Sequence, residues 1–275
     1  MDIAFTFDSA YGRHAHAAIE SVLDHHRSPD VALWLLVAPD VTAEMRDRVT
    51  SQVGDRARVT ILDPDVRLDD LPVSTVDEFG YVSRATYLRL LLPRLLPWHV
   101  ERLLYLDCDI LCAGSLRELF DLDLRGNVLG AVRDAHAGRL SDMGGLPGLA
   151  GYPDLDPDAP YFNAGVLLID LPAWRDRAVT ERCFEYVRRH AAEARFTDQD
   201  ALNRTLHGSW LRLPKTWNHM LAEIDPSTAD GIERARLVHS IGPVKLWDDD
   251  CPDNERKARY DEYRRKAEDA IASRV

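Results

Sequence analysis

The sequence is poor in cysteine and has no surplus of basic residues. Four cysteines occur in 275 residues, and no two have the Cys-x-x-Cys spacing of a zinc knuckle. We interpret them as buried thiols in a reducing compartment, and we therefore expect a cytoplasmic protein. Lysine and arginine number 34 against 46 aspartates and glutamates, a formal net charge of −12. This balance argues against a nucleic-acid partner, but a metal ion can still bridge carboxylates to a phosphate ligand.

Long hydrophobic runs are also missing. The most apolar region, 88–106, is interrupted by arginines, prolines, a histidine and a glutamate, whereas a membrane span needs about 20 mostly apolar residues. Residues 1–5 have neither the basic opening nor the apolar stretch of a secretory signal. We therefore expect no stable insertion into a membrane.

Several catalytic motifs of strict spacing do not occur in the sequence. There is no G-x-x-x-x-G-K-[ST] phosphate loop, no H-E-x-x-H zinc motif and no G-x-S-x-G nucleophile elbow. The glycines at 145, 148 and 151 follow no predicted strand and lack the G-x-G start of a dinucleotide fingerprint. P-loop hydrolysis, zinc proteolysis, nucleophile-elbow hydrolysis and hydride transfer are therefore unsupported.

Apolar runs alternate with helical patterns along the chain. Apolar runs predict strands at 3–7, 31–37, 57–62, 102–106, 128–132, 162–171 and 237–241. Helical spacing predicts helices at 11–26, after an N-cap at Thr42, at 83–92 before Pro93, after a cap at Ser115, at 172–190, at 198–206 and from 254. This rhythm predicts an α/β fold, with a mostly parallel central sheet flanked by helices. The segment 136–160 is rich in glycine, proline and aspartate, which indicates a functional loop.

Two aspartates close the strand predicted at 102–106. Asp107 and Asp109 are two residues apart, so in an extended segment both carboxylates project to one face. Other Asp-x-Asp pairs occur in this acidic chain, but this one closes an apolar strand and is followed by further apolar residues. Carboxylates beside a core are costly to bury unless a cation compensates them. The pair predicts a site for Mn²⁺ or Mg²⁺, with a solvated turn as the alternative.

A histidine, a glycine and a lysine follow one another late in the chain. His239 lies in the apolar strand predicted at 237–241, Gly242 and Pro243 force a turn, and Lys245 follows. A neutral imidazole can complete a metal sphere, and an ammonium can neutralise a diphosphate oxygen. A lone strand histidine is commonly a core residue, but the upstream aspartate pair favours a ligand.

Two segments of the first hundred residues carry polar groups suited to a nucleotide. Asp8 ends the first strand and can accept a hydrogen bond from a base or a ribose, while Tyr11 can stack on a base. The alternative is a helix N-cap followed by a packed ring. Arg89 lies among apolar neighbours, where a guanidinium needs an anionic partner, and a local ion pair is its alternative.

Two later segments carry polar groups suited to a sugar. Asn163 enters a strand beside two small residues, Ala164 and Gly165, which let a ligand approach the backbone closely. Asp198 and Gln199 lie at a helix start, where free N–H groups and side-chain oxygens can hold sugar hydroxyls. Helix capping explains Asp198 equally well.

In order and spacing, these motifs resemble those of glycosyltransferase family 8, whose members are retaining enzymes of the GT-A fold. The resemblance covers residues 1–250, which it implies to be one catalytic domain, with 251–275 as a C-terminal helical tail. It implies a UDP-hexose donor carrying galactose or glucose, a hydroxyl acceptor, and a Mn²⁺ or Mg²⁺ cofactor. The tail is short and mixed in charge, so membrane attachment is not expected.

The resemblance also implies roles for single residues. The residues in the positions of the family's metal ligands are Asp107, Asp109 and His239. Those in the positions of the uridine site are Asp8, Tyr11 and Cys108, the last through its backbone. Those in the positions of the diphosphate-holding turn are Gly242 and Lys245. Those in positions around the donor sugar are Arg89, Asn163, Ala164, Asp198 and Gln199.

For the reaction, we expect Lys245 to stabilise the leaving UDP. The residue placed by the resemblance beneath the anomeric carbon is Gln199, a poor nucleophile, so same-face attack is favoured over a double displacement. Asp198 is the candidate to stabilise developing charge. The 136–160 loop and Asp134 are the candidate acceptor side.

Two positions differ from the family pattern, Ala10 before Tyr11 and Leu246 after Lys245.

Two other functions are compatible with parts of this pattern. A sugar-1-phosphate nucleotidyltransferase shares a similar sheet but needs a glycine-rich basic loop after the first strand, which residues 8–12 do not provide. A non-catalytic nucleotide-sugar-binding protein is the third reading, and the intact Asp107, Asp109, His239 and Lys245 argue against it.

Overall fold

A computed structural model of the chain describes residues 1–26, 31–72, 83–190, 192–221, 232–251 and 253–274. The first half alternates strands and helices, in the order β1 Asp2–Phe7, α1 Ser9–His25, β2 Ala32–Val37, α2 Ala43–Val53, β3 Arg58–Leu62, α3 Leu88–Leu95, β4 Arg102–Leu106, β5 Ile110–Cys112, α4 Arg117–Phe120 and β6 Leu129–Arg133. The second half continues with β7 Phe162–Asp170, α5 Leu171–Asp176, α6 Val179–His190, α7 Thr197–Thr205, β8 Trp210–Arg212, β9 His219–Met220, β10 Leu237–His239 and α8 Asn254–Ala272.

Within the described residues, seven strands form a central sheet in the order β3-β2-β1-β4-β7-β6-β8. Strand β7 runs antiparallel to both of its neighbours, and the other pairings are parallel. A smaller sheet has the order β5-β10-β9. The α/β class and the mostly parallel sheet predicted from the sequence are confirmed.

The central sheet is covered by helices on both faces because its inner strands are apolar on both faces. In β1, Ile3 and Phe5 belong to the core beneath α1 and α2, whereas Ala4 belongs to the core that contains α3 and α6. Strand β4 alternates in the same way, with Leu104 on the first face and Leu103 on the second. Burying each such leucine contributes about 1.5–3 kcal/mol relative to exposure, so the alternation fixes the position of β4 and of the residues after it.

Three helix predictions differ from the structure in detail. Pro93 lies inside α3 rather than ending it, because one missing donor costs less than exposing the buried leucines around it. The helix predicted at 172–190 is two helices, α5 and α6, separated at Ala178, whose φ is +49°. Ser115 is not the N-cap of α4, which is Leu116, although the Ser115 hydroxyl accepts a hydrogen bond from the Arg117 amide.

The last helix packs back onto the first two. On α8, Tyr260, Tyr263 and Ala267 are buried, as the sequence pattern predicted, and the helix contacts α1 and α2. The hydroxyl of Tyr260 lies 2.7 Å from Nδ1 of His14 on α1. The boundary between a catalytic domain and a tail near residue 250 stays a prediction. Across the described parts of the chain, no helix combines the length and apolar character that a membrane span requires.

Candidate active site

The two aspartates and the histidine meet where the two sheets adjoin. Asp107 follows β4 and Asp109 precedes β5, and β5 pairs with β10 so that Ile110 lies opposite His239. The amide of Ser240 donates to the backbone oxygen of Asp109 at 3.0 Å. As a result, Nε2 of His239 lies 3.1 Å from Oδ1 of Asp109 and 3.9 Å from Oδ2 of Asp107.

These three side chains form a donor set that fits a divalent cation. Among the described residues they form a group whose ligand atoms all lie within 4.8 Å of one another. Two carboxylate oxygens and one imidazole nitrogen suit Mn²⁺ or Mg²⁺, with further positions left for water or phosphate oxygens. The residues predicted as metal ligands are therefore brought together in a geometry that fits the ion.

Gly165 of β7 makes this close approach possible. A Cβ at this position would lie 2.2 Å from Cε1 of His239 and 2.8 Å from Oδ2 of Asp107. The backbone oxygen of Gly165 accepts a hydrogen bond from the amide of Asp107, so the backbone of β7 supports the first aspartate directly. The small residue noted in the sequence thus packs against both candidate ligands.

Each aspartate also has a cationic partner. Nζ of Lys245 lies 2.7 Å from Oδ2 of Asp109, and the guanidinium of Arg89 lies 3.1 Å from Oδ1 of Asp107. Burial by itself would raise the pKa of Asp109, but Lys245 and His239 hold that pKa well below its usual range. The Asp109 carboxylate is therefore held in the charged form that a cation requires.

Arg89 links the aspartate pair to α7. Its Nε lies 3.0 Å from Oδ2 of Asp198, and one terminal nitrogen donates to the backbone oxygen of Ala164 at 2.8 Å. Burial disfavours the charge of this guanidinium, but Asp107 and Asp198 raise its pKa above the usual value. Arg89 thus forms a local ion pair and also lines the site. Both alternatives predicted for it from the sequence are therefore observed.

Two cavities open on either side of the aspartates. The first, of about 150 Å³, is lined by residues that include the predicted uridine-site residues Asp8, Tyr11 and Cys108. The second, of about 370 Å³, is lined by residues that include Asn163, Asp198, Gln199, His239 and Gly242. Both cavities are lined by Thr86, Arg89, Asp107, Asp109 and Lys245. All the predicted site residues except Ala164 line at least one of the two cavities. The side chain of Ala164 is buried and lines neither.

In the first cavity, Asp8 caps α1. Its Oδ1 accepts from the amide of Tyr11 at 3.0 Å and its Oδ2 accepts from the hydroxyl of Ser83 at 3.0 Å. The ring of Tyr11 packs edge-on against Trp247 at 5.8 Å between centroids. The N-cap and packed-ring alternative is therefore observed, although both residues also line the cavity.

In the second cavity, Asp198 and Gln199 occupy the first turn of α7 without capping it. Asp198 is buried, which raises its pKa, and it is paired with Arg89. Oε1 of Gln199 accepts from the amide of Ala164 at 2.8 Å, and its Nε2 donates to Asp134 at 3.3 Å. Capping does not explain Asp198, because the N-cap position of α7 is Phe196.

Several residues near the site were not identified as site residues from the sequence. Tyr105 donates to Oδ1 of Asp107 at 2.5 Å, and Thr6 lies 3.0 Å from the Tyr105 hydroxyl. Asn218 contacts both His239 and Asn163. Tyr105 on β4 and Thr6 on β1 each lie one residue before the strand's last residue, and that position is a usable signal. Asn218 lies between a short helical turn and β9, and no local pattern marks it.

Solved structures with a similar fold identify the class. A crystal structure of the galactosyltransferase LgtC, in complex with donor and acceptor sugar analogs, matches with a TM-score of 0.76 and 27% sequence identity. The match covers 98% of this chain and 96% of that one. The fold is therefore that of a GT-A glycosyltransferase.

Sequence relatives identify the family. The model of glycosyl transferase family 8 matches residues 2–251, and the chain belongs to this family. General stress protein A of Bacillus subtilis (strain 168) is 28% identical over 96% of this chain and 91% of its own length. Lipopolysaccharide 1,2-glucosyltransferase of Escherichia coli (strain K12) is 29% identical over 90% of this chain and 72% of its own length. The resemblance inferred from the motifs is confirmed.

Proposed function

We propose that this protein transfers a hexose from a UDP-sugar to a hydroxyl acceptor, with Mn²⁺ or Mg²⁺ and with retention of the anomeric configuration. The observation that carries the proposal is the Asp107, Asp109 and His239 cluster, which lies where the two cavities meet. One sequence relative is named a glucosyltransferase and one similar solved structure a galactosyltransferase. These names support glucose or galactose as the transferred sugar.

On this proposal, the two cavities divide the donor between them. Asp8, Tyr11 and the backbone of Cys108 hold the uridine in the first cavity. Lys245 lines both cavities and takes the diphosphate with Gly242, whose φ of +93° lets the turn present its backbone. The residues assigned to the sugar are Arg89, Asn163, Asp198 and Gln199, together with the backbone of Ala164.

A divalent cation held by Asp107, Asp109 and His239 would supply positive charge to the departing diphosphate. Lys245, whose ammonium lies 2.7 Å from Asp109, adds charge from the protein itself. Arg89 keeps Asp107 in place from the opposite side, so the ligands are held in position before the donor binds.

Two side chains are available to a retaining mechanism, and neither is a free nucleophile. Gln199 carries an uncharged amide that hydrogen bonds to Ala164 and Asp134. The Asp198 carboxylate is buried against Arg89. We therefore favour same-face attack, in which the acceptor oxygen bonds to the anomeric carbon as the bond to the β-phosphate oxygen breaks. The acceptor proton passes to that phosphate oxygen, and Asp198 stabilises the positive charge of the sugar.

The acceptor side of the site is assigned to the 136–160 loop. His136 and Met143 of this loop, with Asp134 before it, line the second cavity.

The four free and buried cysteines support a reducing, cytoplasmic environment. Separation of cell fractions with an antibody to the protein would test that location.

The central experiment measures UDP release from a panel of UDP-sugars at fixed Mn²⁺. The proposal expects Mn²⁺-dependent release of UDP from UDP-glucose or UDP-galactose, and NMR of the product should show a retained α-configuration. Release of pyrophosphate from a sugar phosphate and UTP would instead indicate a nucleotidyltransferase, and binding of UDP-sugar without release a non-catalytic protein. A glycosyl adduct trapped on Asp198 or Gln199 would refute same-face attack.

Asp109→Asn is the matched test of the metal site. The substitution keeps the shape of the side chain but removes the negative charge that faces His239 and Lys245. We expect Mn²⁺-dependent UDP release to fall by at least about 100-fold. The control is Asp250→Asn, which changes an exposed aspartate of another Asp-x-Asp pair and should keep full activity. Equal rates for Asp109→Asn and the native protein would remove the assignment.

A further inference from the structure

We propose that Asn218 is a positioning residue whose side-chain oxygen accepts a hydrogen bond from Nδ1–H of His239 and so directs Nε2 of that ring at the cation site. This inference rests on the proposed metal-dependent function. Oδ1 of Asn218 lies 3.1 Å from Nδ1 of His239, and both side chains are buried. Whether Nδ1 carries a proton depends on which atom of the Asn218 amide faces it, the oxygen or the nitrogen. The hydrogen bonds around the amide determine that orientation.

The orientation is set by a backbone amide. The N–H of Gly165, which can only donate, lies 3.0 Å from the Asn163 side chain, so the atom facing it is the oxygen Oδ1. Asn218 lies 2.9 Å from the same oxygen, and only its NH₂ group can donate to it. Flipping either amide would place two donors or two acceptors against each other in a buried position, which is costly.

With its nitrogen directed at Asn163, Asn218 must turn its oxygen to His239. A side-chain oxygen only accepts, so Nδ1 of His239 carries the proton and donates it. The other nitrogen, Nε2, faces Asp109 at 3.1 Å and Asp107 at 3.9 Å. Nε2 is therefore the ring nitrogen available to a cation held by the two carboxylates.

The same network extends to the donor-sugar side of the site. Nδ2 of Asn163 donates to Oδ2 of Asp134 at 3.0 Å, and Nε2 of Gln199 donates to the same oxygen at 3.3 Å. Asn218 is completely buried, and its backbone amide donates to the oxygen of Lys215 in the preceding turn. It therefore connects the candidate metal ligand His239 with the residues proposed to contact the sugar, through bonds whose directions are all determined.

The first test reads the tautomer directly and needs no metal or substrate. Nitrogen-15 NMR of the metal-free native protein at about pH 9, where imidazole is ordinarily neutral, reports which ring nitrogen of His239 carries hydrogen. His239→Ala assigns the signals. The inference expects a proton on Nδ1, the nitrogen that faces Asn218. An Nδ1 without a proton would overturn it.

The second test measures Mn²⁺ affinity without turnover, by calorimetry on the metal-free protein. Asn218→Leu removes the acceptor, and we expect Mn²⁺ to bind about 10- to 100-fold more weakly. The control is Gln52→Met, which removes a buried amide that contacts His16 at 2.6 Å in another part of the fold.

The outcomes separate this inference from the proposed function. A folded Asn218→Leu protein that binds Mn²⁺ as well as the native protein would refute the positioning role. If the native protein binds no Mn²⁺, the proposed function fails, while the NMR measurement of the Nδ1 proton still tests Asn218. If Asn218→Leu does not fold, the NMR measurement on the native protein decides.

Discussion

Gly165→Ala adds one methyl group at the point where β7 meets the candidate metal ligands. The added carbon would lie 2.2 Å from Cε1 of His239 and 2.8 Å from Oδ2 of Asp107. Carbon atoms in good contact are about 3.5–4.0 Å apart, so the imidazole would have to move by more than about 1 Å. His239 has little room to do so, because it is buried and its Nδ1 is held by Asn218.

The size of the effect follows from that displacement. Overpacking a buried site costs about 1–3 kcal/mol of unfolding free energy. A misplacement of about 1 Å in a catalytic constellation costs roughly 100-fold in rate. We therefore expect Gly165→Ala to fold with reduced stability, to bind Mn²⁺ more weakly, and to release UDP about 100-fold more slowly.

The assay compares urea unfolding, Mn²⁺ calorimetry and UDP release for the native protein and two variants. Gly151→Ala is the matched control, because a Cβ at Gly151 meets no atom within 4 Å. That control should behave as the native protein in urea unfolding and in Mn²⁺ binding. Native Mn²⁺ affinity and native UDP release in Gly165→Ala would refute the packing argument.

Three further substitutions test other parts of the structure. Arg89→Met leaves the buried Asp198 carboxylate without its guanidinium and should lower the urea-derived unfolding free energy by about 3–5 kcal/mol; no change would contradict the ion-pair role. Burial raises the pKa of Asp200 from 3.8 to about 6, so its neutral form is favoured in the fold and stability is lost as pH rises through that pKa. Relative to Asp200→Asn, the native protein should therefore lose about 3 kcal/mol between pH 4 and pH 7.5, and parallel pH profiles would contradict this. Tyr260→Phe removes the hydroxyl that meets His14 and should cost about 1 kcal/mol in thermal unfolding, whereas an unchanged melting curve would show that this contact between α8 and α1 contributes nothing.

The order of strands and helices could be predicted because it depends on local periodicity. Apolar runs that are buried on both faces read as strands whatever their partners, and β1, β2 and β4 lie where these runs do. The break at Ala178 could not be read in this way, because a single φ of +49° interrupts a continuous helical pattern. Nor could the pattern show that Pro93 is tolerated inside a helix whose leucines are buried.

The candidate ligands were predictable for a related reason. Asp107 and Asp109 are close in the chain, and an apolar strand before them places both at a sheet edge. His239 is distant in the chain, and only the motif order suggested that it joins them. Its position depends on the pairing of β10 with β5, which is a tertiary event.

By itself, the sequence determined the α/β class, the family and the identity of the three candidate ligands, because strand periodicity and motif order are written in adjacent residues. The tertiary structure decided that Arg89 joins Asp107 to Asp198, that Gly165 leaves room for His239, and that Asn218 directs its oxygen at the imidazole. Each of these depends on a distance of a few ångströms between residues far apart in the chain. Neither composition nor motif spacing predicts such a distance, because it is fixed only when the strands pair.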